Sequence, residues 1–186
     1  MLAMLLPYLV AAGLVAVDQL LKWWATAALA PVGAVTVIPG VVELRYILND
    51  GMAFSLLSGK QLFLTAFTTL ALAAIAVYLA RKRPPKMETA AWTLILGGGI
   101  GNLIDRALNG VVVDYINFLF VHVAVFNFAD ICITFGAVLL IVSLFFTELR
   151  SGKTERAPRN ADDGNNPPEG TPPTGDAPHE APHGDA

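Results

Sequence analysis

Hydrophobic positions in this chain come in long unbroken runs and seldom alternate with polar ones. Four runs stand out: Leu2–Val17, Gln61–Ala80, Ala90–Ile104 and Ile131–Thr147, each free of charged residues. A helix needs about 20 mostly apolar residues to cross a bilayer core, within a range of roughly 17–25. The pattern therefore predicts an all-α polytopic membrane protein with four transmembrane helices. The first run lacks a basic start and passes into Asp18 and Trp23-Trp24, where a cleaved signal peptide would show a small-residue cleavage site. It is read as the first of the four spans.

The connections carry the rest of the pattern. Residues 25–59 include "VTVIPGVVELRYILNDG", β-branched positions punctuated by Pro39-Gly40, which predicts short strands and a turn. A small β-rich platform on the outward-facing side is expected there. From Ser151 the chain turns to Pro, Gly, Asn, Asp and Glu, with seven of its twelve prolines. Such a segment buries too little apolar area to offset its ordering entropy. The expected organisation is a four-helix membrane domain over 1–150 and a disordered, Pro-rich cytoplasmic tail over 151–186.

Charge sets the orientation. Basic residues cluster in "RKRPPK" (Arg81, Lys82, Arg83, Lys86) and after the fourth run (Arg150, Lys153, Arg156, Arg159), whereas 107–130 has none. Cytoplasmic loops carry the excess of Lys and Arg, so both termini are expected inside and the first and third loops outside. Trp23, Trp24 and Tyr46 suit an interfacial belt on the outer side. Composition agrees with a membrane protein: 55% hydrophobic, 15% charged and a mean hydropathy of +0.58, against about 25% charged in soluble domains. The net charge of −3 arises entirely after residue 149, so it describes the tail and not a site.

This topology gathers the unusual polar residues at one level. Asp18, Asn49, Asp50, Gly51, Asn102, Asp105, Arg106, Asp114, Asn127 and Asp130 all fall at the outer ends of runs or in outer loops. Ionisable residues at such positions are functional candidates by default. Singly, several have ordinary explanations. Asp18 and Lys22 are spaced i,i+4, which allows a salt bridge of small net value. Asp105-Arg106 allows a local ion pair, and Asp130 can cap the fourth helix. Asp114 stands between "VVV" and "YINFLF" with no basic neighbour, and the joint clustering favours a site.

Other chemistries lack parts. "GGGIG" at 97–101 has no strand before it and no Lys-Ser/Thr after it, so it is a helix-packing stripe and not a phosphate loop. His122 is the only histidine outside the tail, which leaves no Ser-His, Cys-His or metal-ligand set; Cys132 reads as a small buried hydrophobe. His179 and His183 sit in the tail. Two aspartates a few ångströms apart cannot both ionise cheaply, so they share a proton and titrate as a pair. One can then take a proton from water while the other polarises a carbonyl or protonates an amine. A proton-coupled transporter using Asp18, Asp114 and Asp130 is the alternative, though its ionisable groups should extend through the membrane depth.

Five short motifs narrow the choice. "DQLLKWW" (18–24), "NDGMAF" (49–54), "GGGIGNLIDR" (97–106), "VVDYI" (112–116) and "FNFADI" (126–131) occur in the order seen in the lipoprotein signal peptidases (signal peptidase II), which the chain resembles over 10–140. The resemblance implies a bacterial inner-membrane aspartic endopeptidase with Asp114 and Asp130 as catalytic pair. It implies that Asp18, Asn49, Gly51, Asn102, Asp105, Arg106 and Asn127 support or line the site. The implied substrate is a prolipoprotein whose cysteine carries diacylglycerol, cut on the N-terminal side of that cysteine. The expected partners are such substrates and membrane lipids, with no nucleic acid, no cofactor and no metal, and the protein is expected to be a monomer. Met52 and Ile131 depart from the family pattern, where a small residue and a serine are frequent.

Overall fold

The structure, a computed structural model, describes residues 2–50 and 61–155. Four helices and three strands follow one another along it: α1 (Leu2–Ala28), β1 (Ala34–Ile38), β2 (Val42–Asn49), α2 (Gln61–Lys82), α3 (Lys86–Asn109), β3 (Val112–Phe118) and α4 (Phe128–Glu155). Large apolar side chains point outward along the helices, among them Leu62 at 84% exposed and Leu70 at 73%. The buried positions include Asp18, Lys22, Asn102, Asp105, Asp114 and Asn127. Apolar outside and polar inside inverts the plan of a soluble domain, and suits a chain whose surrounding solvent is hydrocarbon.

By length and apolarity three of the described helices can cross a membrane: Met4–Ala28, Leu62–Lys82 and Phe128–Glu148. α3, expected as a fourth span, is not among them. Its apolar run is diluted by Gly97, Gly98, Gly99, Gly101, Asn102, Asp105 and Arg106, a consequence of its being the inner helix. Gly97 lies against Leu14 and the carbonyl of Ala11 on α1, and Gly99 against Leu72 on α2. Gly98 meets the carbonyl of Ala129 on α4, and Gly101 meets the Asp18 carboxylate. The packing reading of the glycine stripe holds, because any Cβ at these positions meets a neighbouring helix.

Two boundaries differ from expectation. α1 runs past its uncharged stretch, through Asp18 and Lys22, and beyond the expected start of the connection at residue 25 to Ala28. Ala11, Asp18, Lys22 and Ala25 repeat at helical spacing on one stripe, all buried; polar residues that face partners need not end a helix. α4 likewise continues to Glu155, past the expected boundary at 150. The rest of the expected tail, from residue 156, lies outside the described residues.

The platform also needs correction. The expected strands of the first outer loop form the antiparallel β1–β2 pair, but the sheet has a third strand from the other connection, in the order β1-β2-β3. Asp114, in the connection between α3 and α4, therefore lies on a half-buried strand, paired with Ile47 of β2. Alternation along β3 explains this. Val113 and Tyr115 pack toward Ala25, Leu29 and Tyr46, while Val112, Asp114 and Phe118 line a cavity on the other face. Gly110, in the left-handed region at φ 73°, ends α3 and reverses the chain into this strand.

Candidate active site

The start of α4 organises the site. A helix leaves its first four N–H groups without intrahelical partners, and here each finds a side-chain acceptor. Asn127 and Asp130 form a reciprocal cap: Asp130 N–H donates to Asn127 Oδ1 (3.0 Å) and Asn127 N–H to Asp130 Oδ2 (3.1 Å). Phe128 N–H donates to the Tyr115 hydroxyl (3.3 Å), and Ala129 N–H to Asp18 Oδ1 (3.1 Å). The expected capping role of Asp130 is present, and the cap as a whole tethers the start of α4 between β3 and α1.

Amides wire the two candidate acids together. Asn127 Nδ2 donates to Asp114 Oδ1 at 2.7 Å and to Asn102 Oδ1 at 3.1 Å. Asn102 Nδ2 donates to Asp130 Oδ1 at 2.8 Å, and Asn49 Nδ2 to Asp114 Oδ2 at 2.9 Å. Asn49, Asn102, Arg106, Asp114 and Asp130 all line one cavity of about 660 Å³, walled otherwise by apolar side chains such as Phe118, Val125 and Phe135. Burial pushes the Asp114 carboxyl up to about 6; the Asn49 hydrogen bond opposes this, the Asp130 charge adds to it, and Asn127 and the more distant Lys22 charge oppose it.

Behind this lining lies a buried ionic cluster. Lys22 Nζ reaches Asp18 Oδ2 (2.9 Å), Asp105 Oδ2 (3.0 Å) and Asn102 Oδ1 (2.8 Å). Asp105 also accepts from Val113 N–H (3.2 Å) and Gln19 Nε2 (3.1 Å), which pins β3 beside Asp114. Asp18–Lys22 is thus no surface salt bridge of small value but the centre of the helix packing, with Lys22 only 3% exposed. Lys22, Gln19 and Tyr115 escape the sequence reading as site-related residues. The available signal was Lys22 itself, a lone cation four residues after an acid in apolar surroundings.

Of the expected residues, Asp18, Asn49, Asn102, Asp105, Arg106, Asp114, Asn127 and Asp130 come together. Gly51 and Met52 lie outside the described residues, and Ile131 lines the cavity. Asp50 follows β2 and is exposed. Among the described residues no group of three or more His, Cys, Asp or Glu is placed to hold a metal ion.

An apolar-walled pocket with buried acids and amides, set among helices that face lipid, defines a membrane-embedded enzyme. Two solved structures of bacterial membrane enzymes have this fold. One has a TM-score of 0.70 at 28% identity, covering 83% of this chain and 94% of its own; the other has 0.67 at 31%, covering 74% and 91%. A model of the Signal peptidase (SPase) II family matches residues 10–146. Lipoprotein signal peptidases of Streptococcus pyogenes serotypes M6 and M5 are each 40% identical over 136 residues, which is 73% of this chain and 90% of theirs. The chain belongs to the signal peptidase II family, and is a peptidase of lipoprotein processing.

Proposed function

We propose that Asp114 and Asp130 are the catalytic pair of an aspartic endopeptidase, which cleaves diacylglyceryl-modified prolipoproteins on the N-terminal side of the lipidated cysteine. The observation that carries this reading is the pair's setting: two carboxylates from different elements, bridged by Asn127, whose side-chain amide donates to Asp114 and whose backbone N–H donates to Asp130, and open to one apolar-walled cavity. Asp130 accepts N–H groups on both oxygens and is assigned as the base that takes a proton from the attacking water. Asp114, held protonated to higher pH by burial, hydrogen-bonds the scissile carbonyl. As water adds to the carbonyl carbon, its proton passes to Asp130. Asp130 then passes that proton to the amine nitrogen, the C–N bond breaks as the carbonyl re-forms, and the pair returns to its starting state with Asp114 protonated and Asp130 ionised.

The remaining assignments follow from chemistry. Asn49, Asn102, Asn127 and Arg106 are donors suited to an extended peptide backbone and its developing oxyanion, with Asp18 and Asp105 holding the framework and Gly51 at the loop. Phe118, Val125, Phe126 and Phe135 offer the acyl chains an apolar wall, so that lipid anchoring positions the scissile bond. The basic residues at Arg81–Lys86 support cytoplasmic termini and an outer-face site on the inner membrane. Asp114→Asn and Asp130→Asn, incubated in detergent with a lipidated prolipoprotein, should each lose cleavage. Parent-like rates in either would overturn the assignment.

A further inference from the structure

Lys22 is a buried cation that the proposed chemistry does not use. An ammonium has three N–H donors and no acceptor, and here all three are engaged, by Asp18, Asp105 and Asn102. The third bond has a geometric consequence. An amide has an oxygen side and a nitrogen side, so a donor-only neighbour dictates which way it faces. Because Lys22 lies against Asn102 Oδ1, the Asn102 NH₂ must point to the opposite side, where it meets Asp130 Oδ1 at 2.8 Å. A flipped Asn102 would set its NH₂ against the ammonium and the NH₂ of Asn127, and its carbonyl oxygen against the Asp130 carboxylate.

We propose that Lys22 is a positioning residue for peptide hydrolysis: as the charged donor on the Asn102 oxygen it keeps the Asn102 NH₂ turned to Asp130 and holds that carboxylate in place. The proposal rests on Asp114 and Asp130 being the catalytic pair. Asn127 Nδ2, its own orientation set by the Asp130 N–H, donates to the same Asn102 oxygen at 3.1 Å, so Lys22 at 2.8 Å is the shorter and the charged one of two donors that fix the amide. Charge balance within the cluster does not call for Asn102, because Asp18 and Asp105 already outnumber the single cation.

The test separates locking from charge balance. Full-length Lys22→Met leaves two buried carboxylates uncompensated, so Lys22→Met/Asp18→Asn/Asp105→Asn is made beside it as the charge-relieved variant, with Asp18→Asn/Asp105→Asn, which loses the same cap and strand contacts but keeps Lys22, as its reference. Thermal midpoint, kcat, KM and pH profile are measured in detergent with a lipidated prolipoprotein. Locking predicts that kcat falls about a hundredfold, as for a group misplaced by roughly an ångström, with little change in KM, and that it stays low in the triple variant even where the midpoint recovers. The pH profile reports the loss of charge separately. The charged and titratable groups around Asp114 are Lys22 on α1, Asp105 and Arg106 on α3, Tyr115 on β3 and Asp130 on α4. Losing the Lys22 charge moves the basic limb to higher pH with or without the lock, so the lock itself is read from kcat in the triple variant against its reference. Recovery of kcat to that of the reference together with the midpoint in the triple variant, or a parent-like kcat in Lys22→Met, overturns the proposal. Asp114→Asn and Asp130→Asn run alongside: cleavage by these would sink the catalytic-pair reading instead.

Discussion

Replacing Asp114 by asparagine should reveal a stability cost that the site carries at neutral pH. Burial raises this carboxyl from 3.8 to about 6, and Asp114 is only 2% exposed. At about 1.4 kcal/mol per unit, the difference is worth roughly 3 kcal/mol. The native state holds the proton to higher pH than the unfolded chain does. Its stabilising effect is complete below 3.8 and is lost as pH rises through about 6. The amide of the variant does not titrate, so the stability of Asp114→Asn relative to the parent should rise by up to about 3 kcal/mol between pH 4 and 7. A constant offset opposes it. The carboxylate accepts from both Asn49 and Asn127, whereas an amide has one oxygen, so one donor is stranded at about 1–3 kcal/mol. That penalty does not vary with pH. Unfolding of both proteins in one detergent at pH 4 and pH 7 isolates the titrating part, seen as a relative gain of several degrees in the midpoint at about 2–4 °C per kcal/mol. Parallel midpoints at the two pH values would refute the reasoning.

Three further outcomes are expected. If Asp114 carries the proton, kcat/KM, which reports the free enzyme, should fall as pH rises past about 6; a profile flat to pH 8 would count against that role. Asn127→Ala should cost about 1 kcal/mol through loss of the cap and lower cleavage about a hundredfold through release of the Asp114 carboxylate and of the Asp130 backbone N–H, read by thermal melts and peptide assay. Gly98→Ala should destabilise by about 1–3 kcal/mol, as overpacking does. Its Cβ would collide with the Ala129 carbonyl, so the strain falls next to Asp130 and activity should drop with the melting midpoint.

Much of this protein was legible in one dimension. Apolar runs announce helices because only a closed hydrogen-bond ladder survives in hydrocarbon, and three described helices have the length and apolarity to span. The glycine stripe of α3 was readable for a similar reason, since small residues are what let backbones approach. The ordered motifs around Asp114 and Asp130 pointed to a family, and the family match agrees.

Other features depend on contacts between residues far apart in the chain. That Asp114 sits on a strand is decided by β2, some sixty-five residues earlier, because a single strand has no partner for its backbone until the sheet forms. The length of α1 is decided by Asp105 and Asn102, which give Lys22 somewhere to bury its charge. The sequence by itself determined that the chain would enter a membrane and which acids it would carry to the boundary. Only the tertiary structure decided that Asp18 and Tyr115 would complete the cap of α4, and that a lysine on α1 and an asparagine before α4 would together face the oxygen of the amide that meets Asp130. Local sequence carries propensity and hydropathy, whereas the direction of an amide is set by what stands on either side of it.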